Sequence, residues 1–294
     1  MAIEGTHGLW ADLAVEKPGQ NKKTVHVLSV PYDGLASARK GAAEAPSEIR
    51  MWSRHITPFT EDRTDLRGLQ LLDHGDIVID DAQVGYAEVE RVVAKLTDPV
   101  VVLGGDHSIS IPVLREMVQN TPEMGLLWID AHPDLCDSFD GSRLSHACVL
   151  RRALDAGLDP NRVVMVGVRS WEEQELEIIS KGEMLVITAA QIAENGMAFY
   201  KTAIRDRLAF SSSIYISCDI DSLDPSVAPG TGIPDHGGLS MRDVLATIGC
   251  VAGREILGLD IVEVAPPLDP SGVTVFAALK IIMEFLGIIA RQKG

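Results

Sequence analysis

Apolar residues along this chain come in short β-branched runs rather than in one long stripe. Eight of these runs read as strands: 24–30 (TVHVLSV), 69–72 (LQLL), 99–104 (PVVVLG), 125–130 (GLLWID), 162–167 (RVVMVG), 183–188 (EMLVIT), 213–219 (SIYISCD) and 256–264 (ILGLDIVEV). Between most of them the spacing shifts to the period of an amphipathic helix, as in 84–96, 110–119, 145–156 and 240–251. Strands that are apolar throughout and alternate with helices predict parallel βαβ units in a sheet buried on both faces. No Pro/Gly/Ser-rich linker, charge block or internal repeat divides the chain. The pattern predicts one α/β domain over 1–294, with helices on both sides of the sheet. Residues 1–22 are polar and irregular and read as an arm, either disordered or packed on a neighbouring subunit.

Composition narrows this further. A chain of 294 residues that is 46% hydrophobic can bury a large core. Its net charge of −16 argues against a nucleic-acid partner, which would need a basic face, and agrees with a cationic substrate. Cys136, Cys148, Cys218 and Cys250 form no CxxC pair, so structural zinc is not expected. The start, MAIEGTHGLWADL, lacks the charged head and apolar run of a signal peptide. The apolar stretch VTVFAALKIIMEFLGII is interrupted by Lys280 and Glu284, and no membrane span is expected. The expectation is a soluble cytoplasmic protein.

Three short runs carry the chemistry: GGDHSIS with His107, WIDAHPDLCD with Asp130, His132 and Asp134, and SCDIDSLDP with Asp219 and Asp221. In extended chain, residues two apart project to one face, so each set is expected to point together. Each run lies at the end of a predicted strand, where open α/β sheets bind their ligands. A single DxD or DxHxD is weak, because aspartates after strands often cap helices or form turns. Three such clusters together are a metal site, since burying six ionisable groups without metal is very costly. Oxygen-rich ligation suits Mn(II) better than Zn(II). Two ions roughly 3.5–4 Å apart that share carboxylates activate water for hydrolysis at carbon or phosphorus.

Two further residues stand out. His146, in RLSHACVLRRA, reads equally as a proton carrier and as a histidine at a helix start. Glu263, in DIVEVAPP, is a carboxylate inside an apolar strand, either half of a buried ion pair or a grip for a cation. The glycines of GGDHS and APGTGIPDHGG match no phosphate-binding loop.

Taken together, GGDHSIS, IDAHPD and SCDIDSLDPSVAPGTG resemble the three metal signatures of the ureohydrolases, the arginase and agmatinase family. VPYDG, LDHGDI, SHACVLRRA and VEVAPPLD add to the likeness, which runs from about residue 24 to the C-terminus. The resemblance implies a three-layer α/β/α fold around an eight-stranded parallel sheet, assembled as a homotrimer or homohexamer. It implies two Mn(II) ions per subunit. One would be held by His107, Asp130, Asp134 and Asp219, the other by Asp130, His132, Asp219 and Asp221. It implies that Glu263 orients a guanidinium group and that His146 or Asp134 carries a proton to the departing amine. SHACVLRRA and VEVAPPLD look closer to the agmatinase branch than to arginase. Agmatine is therefore the expected substrate, with guanidinobutyrate or another small guanidino compound as the alternative. Asp137, Asp140 and Asp235 are the acids expected to meet its ammonium end. A one-zinc deacetylase, a dinuclear phosphoesterase and a non-catalytic relative fit less well. The first needs no second ligand set, the second lacks nearby cations, and the third would have lost ligands.

Overall fold

The computed structural model describes residues 8–292. All eight predicted strands form, as β1 Lys23–Ser29, β2 Leu69–Asp76, β3 Val100–Leu103, β4 Gly125–Ile129, β5 Val163–Val168, β6 Leu185–Thr188, β7 Ser213–Asp219 and β8 Glu255–Val262. They make one sheet in the order β2-β1-β3-β8-β7-β4-β5-β6. Every strand pairing in the sheet is parallel. The helices are α1 Ala45–Trp52, α2 Ala82–Val93, α3 Ser110–Asn120, α4 Val149–Asp155, α5 Glu173–Ser180, α6 Ala189–Asn195, α7 Met197–Leu208, α8 Met241–Ile248 and α9 Val273–Arg291.

The alternation of side chains along each strand sorts these helices into two layers. Val25, Val27, Leu127 and Ile216 face a core that includes residues of α1, α6, α7, α8 and α9. Leu28, Val102, Leu126 and Tyr215 face a second core built with α2, α3 and α4 and flanked by α5. The result is the expected α/β/α sandwich. The chain runs from β1 outward to β2, returns past β1 to β3, then leaves two places that β8 and β7 fill later. This change of direction opens a crevice above the C-terminal ends of β3, β8, β7 and β4, the four central strands.

Local signals set the helix starts. The Asp81 side chain accepts from the amide of Val84 and begins α2 at Ala82, two residues earlier than the apolar period suggested. Ser240 and Asp243 form a capping box at α8. The stretch 145–156 is a 3₁₀ turn, His146–Cys148, followed by α4.

Two expectations change. Residues 8–15 do not stand off as an arm. Leu9, Trp10 and Leu13 are buried in the core of their own chain, and Ala14 bridges to Leu71 of β2. The indole of Trp10 donates to Asp73 at 2.9 Å. The rest of the expected arm, 1–7, lies outside the described residues. The apolar stretch near the C-terminus is also longer than expected. It forms α9, 19 residues, which by length and composition is apolar enough to cross a membrane. Most of α9 is buried within the fold, and Lys280 and Glu284 pair at 2.6 Å across one turn of its more open face.

Asp73 is the centre of a buried ion network. The guanidinium of Arg50 donates to both its oxygens at 2.9 and 2.8 Å, and also to Ser29 and Asp76. Removing the cation would strand a carboxylate that is 3% exposed. Arg50→Ala is therefore expected to lower stability by about 3–5 kcal/mol. Urea unfolding should show a lower midpoint at unchanged slope. A loss below about 0.5 kcal/mol, the level of an ordinary surface substitution, would mean that the network does not hold β1, β2 and α1 together.

Candidate metal centre

The six predicted ligand residues converge in the crevice. The ring Nδ1 of His107 lies 3.1 Å from Asp130, 3.1 Å from Asp134 and 3.2 Å from Asp219. The Nδ1 of His132 lies 3.2 Å from Asp221 and 3.5 Å from Asp130. Two groups with metal-ligand spacing result, His107–Asp130–Asp134 and Asp130–His132–Asp221, joined by Asp130. Asp219 stands with the first group, at the distance given.

The side chains come together by turns, not by strand alternation. Asp219 ends β7, and its Oδ1 accepts from the amide of Asp221 at 2.8 Å, opening a 3₁₀ turn over Ile220–Ser222. Asp130 Oδ1 likewise accepts from the amide of His132 at 2.7 Å. Asp134 has a left-handed backbone, φ 51°, as does Glu263, φ 60°. Such conformations cost energy in non-glycine residues and persist where surroundings enforce them. Glu263 thus lies just past β8, not inside it. Its amide donates to Gly105, and its Oε1 accepts from the amide of His107 at 2.8 Å.

His146 is at the cleft wall, with Nε2 3.0 Å from the Ser37 hydroxyl and Nδ1 3.8 Å from Glu263. The two glycines before Asp106 have a packing role. A Cβ on Gly105 would sit 1.8 Å from the Tyr32 carbonyl, so only glycine lets the loops after β1 and β3 touch.

The electrostatics call for cations. Asp130, Asp134, Asp219 and Asp221 are each at most 5% exposed. Burial, and then the charge of Asp130, push Asp134 up to about 7. Burial raises Asp219 well above the carboxylate range, with Asp221 and Asp130 adding to it. Burial would depress His132, but Asp221 and Asp130 outweigh it and hold the ring near 12. Protons thus occupy the space between carboxylates that cations suit better. The Nδ1 of His107 and Oδ2 of Asp130 are buried without any hydrogen-bond partner among the described residues. Both belong to the predicted ligand residues, and buried polar atoms left without a well-formed hydrogen bond fit a site that a metal ion would complete.

The cleft has a volume of about 190 Å³. Its walls include residues that sequence reading missed. Arg39, Phe139, Trp171, Glu172 and Glu175 all line it. Glu175 has one oxygen on the amide of Leu135 and the other on that of Glu172. Arg39 donates through Nε and Nη2 to the carbonyls of Gly232 and Thr231. The acids expected at the mouth are elsewhere. Asp137 is bound by Arg143 and Arg152, Asp235 lies 3.7 Å from Arg169, and Asp140 is not among the lining residues. A run of three polar loops gives no signal of which side chains will face a shared cleft.

Comparison with known proteins agrees with this geometry. The family model described as the arginase family matches residues 23–287. A guanidinobutyrase from Pseudomonas aeruginosa is 30% identical over 274 residues, 89% of this chain and 85% of that protein. An agmatinase from Neisseria meningitidis is 33% identical over 279 residues, 91% of this chain and 87% of that one. Among solved structures, proclavaminate amidinohydrolase from Streptomyces clavuligerus superposes with a TM-score of 0.89, at 31% identity, covering 97% of both chains.

Metal and protons should compete at Asp134. Its carboxyl is raised from 3.8 to about 7 without metal, so below pH 7 it holds a proton that an ion must displace. In the metal-free fold, the proton on Asp134 contributes stability that is fully present below pH 3.8 and is lost as pH rises to and through about 7. The rise in melting temperature on adding Mn(II), relative to EDTA, is therefore expected to grow from pH 6 to pH 8. A constant or shrinking difference would contradict the ligand role of this cluster.

Proposed function

We propose, from the premise that the chain belongs to the arginase family and is an agmatinase-like ureohydrolase, that it hydrolyses agmatine to urea and putrescine with two Mn(II) ions. The observation that carries this reading is the meeting of six ligand side chains with Glu263 and His146 around one cleft. His107, Asp130, Asp134 and Asp219 would hold one ion, and Asp130, His132, Asp219 and Asp221 the other. When bound, the ions supply Lewis acidity that makes water nucleophilic near neutral pH.

The chain's own groups then do the rest. A guanidinium carbon is a weak electrophile, so its orientation matters. Glu263 accepts hydrogen bonds from the guanidinium N–H groups, and the His107 amide on Oε1 keeps the carboxylate from turning away. Water adds to the guanidino carbon, the bond from that carbon to the chain nitrogen breaks, and the nitrogen leaves with a proton. Burial, and then the charges of His107 and His132, hold His146 near 4 in the metal-free chain, so its ring is neutral at pH 7. A neutral ring accepts a proton on attack and returns it to the leaving amine. The Ser37 hydroxyl fixes that ring, and Asp134 is the alternative carrier.

Glu172 supports an ammonium-ended substrate, since it is exposed on the cleft wall beside Trp171. Arg39 favours a second reading. It lines the same cleft, and its Nη1 makes no hydrogen bond among the described residues. A cation there suits a carboxylate tail such as that of guanidinobutyrate.

Glu263→Gln is expected to keep both ions but cut turnover by roughly 10- to 150-fold, the equivalent of about 1.5–3 kcal/mol for a hydrogen bond to a charged group. Metal analysis alongside a urea-release assay checks both halves, and metal loss would make Glu263 structural. A panel of agmatine, guanidinobutyrate and arginine under one Mn(II) concentration and pH tests the substrate. Agmatine should lead, with arginine at least about tenfold worse in kcat/KM. A lead for guanidinobutyrate would assign the tail to Arg39 instead, and no urea from any guanidino compound would end the reading.

A further inference from the structure

Behind His107 lies a chain of buried polar groups that the mechanism above does not use. Its Nε2 is 2.9 Å from the Ser217 hydroxyl, which donates to Asp260 Oδ1 at 2.7 Å. Ser217 and Asp260 are fully buried and stand opposite each other on β7 and β8. A serine hydroxyl has one hydrogen, and here it is committed to the carboxylate. Its oxygen, with no second hydrogen to give, must then accept from Nε2–H of His107. The Nδ1 of the ring faces Asp130, Asp134 and Asp219, and an ion bound among them would meet its lone pair in place of a proton. Trp128 fixes the ring plane, stacked at 4.4 Å and 7°.

A purely structural role explains Asp260 poorly. The Ser110 and Tyr215 hydroxyls lie beside its carboxyl group, but neither makes a well-formed hydrogen bond to its buried Oδ2. An apolar residue on this central strand would leave no such debt to desolvation. A carboxyl group two hydrogen bonds behind a metal-binding imidazole does have a use, because it orients the ring and fixes its tautomer.

We propose that Asp260 is a positioning residue which, through Ser217, locks His107 with its proton on Nε2 and so sets the affinity of the ion that His107 binds. The proposal rests on His107 being a metal ligand, and the experiment separates the two. Mn(II) binding to the metal-stripped full chain is titrated by calorimetry, with bound ions counted by elemental analysis. For Asp260→Asn we expect one of the two dissociation constants to rise about 10- to 100-fold and the other to stay within about twofold. Ser217→Ala should do the same, and the double variant should be no worse than either single one. At saturating Mn(II) the count should return to two and urea release should recover to within a few-fold.

His107→Ala is the control. If it binds Mn(II) as the unaltered chain does, the ligand assignment itself fails. If it loses one ion while Asp260→Asn and Ser217→Ala leave both constants unchanged, only the positioning role fails. Equal weakening of both ions, or failure of both variants to fold, would likewise make the pair a structural element and overturn the proposal. Should Asp260→Asn alone fail to fold, Ser217→Ala decides.

Discussion

Mutual repulsion among buried carboxylates is the constraint around which this protein is arranged. Asp130, Asp134, Asp219 and Asp221 meet in a space nearly closed to water. Such a group cannot stay fully ionised without positive charge among its members. With no ion bound, His107 and His132 supply some of it, their rings held protonated by the same acids, and an ion would take the place of those protons. That arrangement is what a fold looks like when it is built to be completed by cations. The left-handed backbone of Asp134 and Glu263 and the orphaned ligand atoms are further signs of a site tuned for chemistry over stability.

The fold bears this load by using its stiffest part. The proposed ligands come from the ends of β3, β4 and β7, and Glu263, the proposed guanidinium grip, from the end of β8; these are the four central neighbours of the sheet. Each strand there is hydrogen-bonded on both sides and buried on both faces. Short turns at their ends, closed by Asp219 and Asp130 themselves, then aim the side chains. The metal-facing carboxylates thus help build the turns that position them.

Much of this could be read from the residues, though not always for the right reason. The eight strands were legible because buried parallel strands are continuously apolar. The ligand clusters were legible because three carboxylate and histidine runs each followed such a strand. Spacing of two brought Asp219 and Asp221 together as expected, but through a 3₁₀ turn in place of extended chain. The short helices α1, α5 and α6 were hidden, since about two turns carry little periodic signal and depend on packing, and the 12-residue α7 was hidden because it buries only Met197, Ile204 and Leu208. Arg39, Trp171, Glu172 and Glu175 were hidden for a different reason. They become neighbours only when loops from separate strands fold over one opening, which no local pattern encodes. Asp260 had a signal that went unused, a carboxylate inside an apolar strand.

The division between floor and walls has a consequence for how such proteins diverge. The proposed metal ligands and Glu263 directly follow the central strands, whereas His146 and the residues proposed to meet a substrate's tail sit farther out, on loops after β1, β4, β5 and β7. Loop residues can be exchanged without disturbing ligand geometry, so a lineage can change diet while keeping its chemistry intact. Relatives named for guanidinobutyrate, agmatine and proclavaminate, all near one-third identity to this chain, are the pattern such modularity leaves behind.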